Sequence, residues 1–94
     1  MATFGYVRMP TISLFYGIVI AMFFNDHDPP HFHARYADHH ARVAIETGEL
    51  LDGDLPPRAV RLVREWAALH RVKLEDDWRL ARALQPLRPI EPLP

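Results

Sequence analysis

The chain has 94 residues, 49% of them apolar and 24% charged, which is enough for one hydrophobic core, too little for two, and too apolar for a disordered chain. The absence of cysteine excludes disulfides, thiolate metal sites and thiol nucleophiles, and it suits a reducing compartment. The formal net charge of −1 sets the chain apart from dedicated nucleic-acid binders, although residues 1–54 hold three Lys/Arg against seven Asp/Glu and residues 55–94 eight against five.

Met1 to Arg8 shows no periodicity and reads as a leader, with Pro10 breaking any element that continues from it. The stretch Met9 to Asn25 carries no charge, but its apolar part, Ile12 to Phe24, falls short of the ~20 residues that cross a bilayer as a helix. It lacks a small-residue cleavage site and is rich in β-branched and aromatic residues, so strands of a cytoplasmic protein are expected. Ile12 to Tyr16 reads as a first strand and Ile18 to Asn25 as a second, reversing near Gly17. The second is apolar on both faces, the mark of a central strand covered on both sides. Asp26 to Pro30 is turn chemistry, His31 to Tyr36 a third strand, and His40 or Ala41 to Thr47 a fourth that Gly48 ends. Leu50 to Asp54 reads as a connection containing the turn pair Asp52-Gly53.

Pro56 and Pro57 suit a helix entrance, where a missing N–H costs nothing. From Ala59 to His70 the apolar residues recur at helical spacing, with Ala59, Val60, Leu62, Val63, Trp66, Ala67, Leu69 and His70 on one side. Arg58, Arg61, Arg64 and Arg71 lie on the other, toward water or a partner. A second helix is expected over Leu74 to Gln85, buried through Leu74, Trp78, Ala81 and Leu84 or Gln85, and stopped by Pro86. The tail, residues 86–94, repeats proline every third residue and lines up Leu87, Ile90 and Leu93 on one edge of an extended helix. Docking on the body or on a neighbouring subunit is expected of it. The architecture is then α+β: a small antiparallel sheet of about four strands, residues 9–85 in one domain, with two C-terminal helices packed on one face.

Five of the six histidines fall between Asp26 and His40, beside three aspartates and Arg35. Alternation along the third strand sends His31, His33 and Arg35 one way and Phe32, Ala34 and Tyr36 the other. Paired with the fourth strand, the simplest arrangement buries Phe32, Tyr36, Val43 and Ile45 under the helices. It gathers His31, His33, Arg35, Arg42 and Glu46 on the opposite face. Three readings of that patch stay open. His31 and His33, with His27, Asp28 or His40 near, could hold zinc or another divalent transition metal. Without a cofactor, His31 and His33 could act as acid and base on RNA, with Arg35 and Arg42 binding phosphate and His70 orienting them. Polar residues could also simply occupy an exposed face or a subunit interface. His70 sits on the apolar arc of its helix and reads either as a core histidine or as that orienting group.

Met9-Pro10-Thr11-Ile12-Ser13, His27-Asp28-Pro29-Pro30-His31-Phe32-His33, Leu55-Pro56-Pro57-Arg58-Ala59, Glu65-Trp66-Ala67-Ala68-Leu69-His70 and Ile90-Glu91-Pro92-Leu93 stand together in this chain. Together they resemble the small bacterial family catalogued as domain of unknown function 4160. The resemblance runs from Met9 onward, which implies Met9 as the expected native start with residues 1–8 as an extension, and its motif falls on His31, His33, Trp66 and His70. Members resemble components of toxin–antitoxin operons, so the resemblance implies a protein partner encoded nearby and, for a toxin, an RNA or translation target. The leading expectation is a toxin–antitoxin-type module acting on RNA by metal-free acid/base catalysis. The alternative is a binding module whose histidines, His27, His31 and His33, hold a metal ion or a protein partner.

Overall fold

A computed structural model describes residues 9–94; the expected leader, residues 1–8, lies outside them. Five strands form one antiparallel sheet in sequence order: β1 Thr11–Phe15, β2 Ile18–Ala21, β3 His31–Tyr36, β4 His39–Ala44 and β5 Leu50–Gly53. Two helices follow, α1 Pro57–Leu69 and α2 Arg71–Arg82, so the expected α+β architecture holds with one strand more. The extra strand is the stretch expected to be a connection. Its turn signal is genuine, since Gly53 has φ +81°, but Gly53 still pairs with Ala41. A Cβ on Gly53 would lie 2.2 Å from the His40 carbonyl oxygen, so only glycine lets β5 approach β4 this closely.

The β1–β2 hairpin turns at Tyr16 and Gly17, both left-handed, with φ of 51° and 80°. Two consecutive positive φ values match the right-handed twist of the strands they join. β2 ends at Ala21 rather than Asn25. Met22 still donates to the Pro10 carbonyl, but Asn25 is left-handed (φ 53°) and its N–H bonds the Ala81 carbonyl of α2 at 2.9 Å. Phe23 and Phe24 therefore leave the sheet, and the β2–β3 loop is tied to the second helix. β4 likewise stops at Ala44. The tight turn through Gly48 (φ 75°) closes with its N–H on the Ala44 carbonyl, which takes Glu46 out of the strand.

Pairing of Phe32 with Val43 and of Ala34 with Ala41 and Ile20 puts these side chains on the face that meets α1, where Phe32 lies 5.7 Å from the Trp66 ring. All six are fully buried. Burial at about 25 cal/mol per Å² of apolar surface makes this layer the main favourable term in the fold. α1 buries Ala59, Val63, Trp66 and Ala67, but Leu69 is 62% exposed, against the sequence expectation. His70 breaks the helical run there with φ −119°, ψ 27°, and α2 starts at once in a new direction. α2 accordingly begins three residues early and buries Leu74, Asp77, Trp78 and Ala81, leaving Leu84 and Gln85 exposed beyond its end.

The tail packs against the body. Ile90 and Leu93 are buried and Leu87 is half-buried. The Ile90 N–H bonds the Ile12 carbonyl at 2.8 Å, the Trp66 indole N–H bonds the Glu91 carbonyl at 2.8 Å, and the Tyr16 hydroxyl reaches the Pro94 carbonyl at 2.7 Å. This strap runs along the outer edge of β1, a row of backbone groups that an edge strand otherwise leaves open. Among the described residues, no helix is long and apolar enough to cross a membrane.

Candidate metal centre

β3 opens with two histidines at alternate positions, and the loop before it returns Asp26 over them. Asp26 Oδ1 accepts the His27 N–H at 2.8 Å, which turns Oδ2 toward the strand. There it lies 2.9 Å from His31 Nε2 and 3.6 Å from His33 Nε2. Asp26, His31 and His33 thus offer three donor atoms, all within 4.8 Å of one another. His31 has a side chain that is 0% exposed, closed in by Trp78 of α2 at 5.3 Å between ring centres. His33 is buried too, between Phe23, edge-on at 4.6 Å, and His40, stacked at 5.1 Å.

The hydrogen bonds behind the rings decide what the front nitrogens can do. His31 Nδ1 lies 2.7 Å from the Pro29 carbonyl oxygen, and a carbonyl only accepts, so Nδ1 carries a proton. In the neutral ring Nε2 then has a bare lone pair, aimed at a carboxylate oxygen that has only lone pairs to offer. Such a contact needs a positive charge in it, either a second proton on the ring or a metal ion. His33 Nδ1 is engaged by His40 Nε2 at 3.0 Å, while its own Nε2 is buried with no hydrogen-bond partner, 3.6 Å from Asp26 being too long. Metal-binding histidines commonly present one nitrogen to the ion and fix the ring by the other. Both rings here are held that way.

Charge points in the same direction. Burial pushes His33 below the ordinary histidine value of 6.5, and the His31 charge adds to this against the Asp26 carboxylate, so His33 is neutral with a lone pair available at pH 7. Burial works to raise Asp26, but the His27 N–H, the His31 charge and the two imidazoles beside it outweigh it and hold the carboxyl below 3.8. Asp26 is therefore an anion facing two imidazoles.

Of the residues marked in the sequence, His31 and His33 come together, His40 joins them behind His33 at Nδ1, and the others disperse. His27 is 78% exposed, with Nδ1 3.0 Å from Asp26 Oδ1, so the third donor beside His31 and His33 is Asp26, where His27 was expected. His70 packs on Trp66 at 5.6 Å at the junction of α1 and α2 and makes no hydrogen bond with the paired histidines. Arg42 shares the rung of His33 but is held by Asp52 through contacts of 2.7 to 3.1 Å. Arg35 is exposed on the face of His33, opposite His40. Glu46 lies beyond β4 near Arg71 of α2, not on the histidine face. Asp26 was missed because it precedes the strand by five residues. The available signal was a carboxylate next to a proline-rich turn that hands the chain to two histidines.

A five-stranded antiparallel sheet backed by two helices, with a buried His-His-Asp cluster where the β2–β3 loop folds onto the sheet, defines a small α+β domain with a metal-type donor set. The chain belongs to the family described as domain of unknown function DUF4160, which it matches over residues 17–79. That span contains all three cluster residues, together with Trp66 and His70. No curated protein and no solved structure matches the chain.

Proposed function

We propose that this protein is a divalent-metal-binding module in which His31 Nε2, His33 Nε2 and an Asp26 carboxylate oxygen hold the ion. One observation carries the reading: both rings spend their Nδ1 on a fixed neighbour and aim Nε2 at one carboxylate, and the His33 nitrogen is buried with no partner. For metal–ligand bonds of about 2.0–2.1 Å in a tetrahedral site, donor atoms stand about 3.3 Å apart. The two separations from Asp26, 2.9 and 3.6 Å, bracket that value. Two histidines and one carboxylate suit zinc or iron(II), and three protein ligands leave coordination positions for water or a ligand.

Acid/base catalysis on RNA without a metal asks His31 to meet a polymer, and burial of its whole side chain weighs against that. The metal reading needs no such access for His31. Equilibrium dialysis against zinc tests it. One ion per chain is expected for the native protein, with uptake lost in His31→Ala and His33→Ala and strongly weakened in Asp26→Asn. His27→Ala should retain the ion. Equal uptake by all these variants would reject the site.

A further inference from the structure

On the sheet face that carries His33, one cation has no counter-charge. Arg42 on that face meets the Asp52 carboxylate, whereas among the described residues Arg35 meets none and is exposed. Arg35 follows His33 by two residues in β3, so both side chains leave the same face, with backbones about 6.6 Å apart. His40, directly across from Arg35, is the residue that touches His33 Nδ1. Arg42 is already committed, because Asp52 holds its Nε and Nη2 together.

We infer that the site takes a small oxyanion, a phosphate or carboxylate group, with one oxygen on the ion held by Asp26, His31 and His33 and another on Arg35. The inference rests on the metal reading above. Two neutral imidazoles and one carboxylate leave a divalent ion with a single net positive charge, to which Arg35 adds a second. A locally doubly positive site attracts an anion and leaves water the weaker competitor. The planar guanidinium presents paired N–H groups that match two oxygens of a carboxylate or phosphate. Asp26 and His33 keep some exposure, 15% and 7% of their side chains, while His31 is sealed. His31 is then purely a ligand, His33 a ligand nearer to solvent, and Arg35 the residue that selects what enters.

Calorimetric titration of the zinc-loaded protein with inorganic phosphate, and separately with acetate, tests this. Saturable binding is expected for at least one of the two, and which one tells the phosphate source from the carboxylate source. Arg35→Ala should keep its zinc and bind the anion about tenfold more weakly, with Arg35→Lys between the two. Arg58→Ala, remote on α1, should match the native protein. Zinc-loaded protein that binds neither anion, or binds equally well in Arg35→Ala or without zinc, overturns the inference and leaves the metal site standing. Protein that retains no zinc overturns both.

Discussion

His33→Leu separates the two roles that a buried histidine can have. In the metal-free protein His33 Nε2 is enclosed without a partner, a state that costs about 1–3 kcal/mol. Leucine removes that cost and fills a similar volume. Against this, the contact of Nδ1 with His40 at 3.0 Å is lost, worth about 1 kcal/mol, and so are the ring contacts with Phe23 and His40, worth about 0.5–1.5 kcal/mol. The opposing effects nearly cancel, so metal-free His33→Leu should unfold within about 1 kcal/mol of the native chain. Zinc should then distinguish them. Free zinc at a hundred times its dissociation constant stabilises the native protein by about 2.7 kcal/mol. For a domain of this size that raises the Tm by roughly 10–20 °C, at about 4–8 °C per kcal/mol. His33→Leu, with one of three ligands gone, should lose most of the rise. Thermal unfolding followed by circular dichroism, with and without zinc, reads both effects. Equal zinc-induced shifts in the two proteins would refute the reasoning, as would a metal-free variant destabilised by more than 3 kcal/mol.

Two further outcomes follow from the packing of the tail. Burial raises the Asp77 carboxyl above 3.8, against the Arg88 N–H that its Oδ1 accepts at 2.9 Å, while Oδ2 is buried unpaired. A raised folded value means that Asp77 favours the fold below pH 3.8, and that the advantage disappears as pH rises through the folded value. Asp77→Asn should therefore be more stable than the native chain at pH 7, by on the order of 1 kcal/mol, with the gap closing toward pH 4 in denaturant titrations. Ile90→Ala removes a side chain that is 4% exposed and should cost about 2–4 kcal/mol, with enhanced hydrogen exchange at the Trp66 indole N–H that the tail covers. Unchanged exchange there would mean the strap does not hold the helix.

The sheet was legible where apolar residues alternated with polar ones along a strand. Phe32, Val43 and Ile45 declared the buried side, and Ile45, though past the end of β4, is still buried. β5 was not legible, because Leu50–Gly53 is exposed for three of its four residues and carries no apolar alternation. What makes it a strand is pairing with β4, which is a property of two segments. Leu69 misled because helical spacing assumes that the helix continues, and His70 ends it. In the candidate site, local period two placed His31 and His33 on one face correctly. It could not place Asp26, whose position depends on the Asn25 N–H reaching Ala81, more than fifty residues away. Nor could it place His70, because the helical arc fixes only an inward direction, and what waits there is Trp66 and the tail.

X-ray absorption at the metal edge of the purified, zinc-supplemented protein bears most directly on the cluster. One ion per chain is predicted, with two imidazole nitrogens and a carboxylate oxygen at about 2.0–2.2 Å. In His33→Leu the imidazole count should fall to one. A native protein that holds no ion after supplementation, or whose ion lacks two imidazoles, would contradict the assignment of Asp26, His31 and His33 as its ligands.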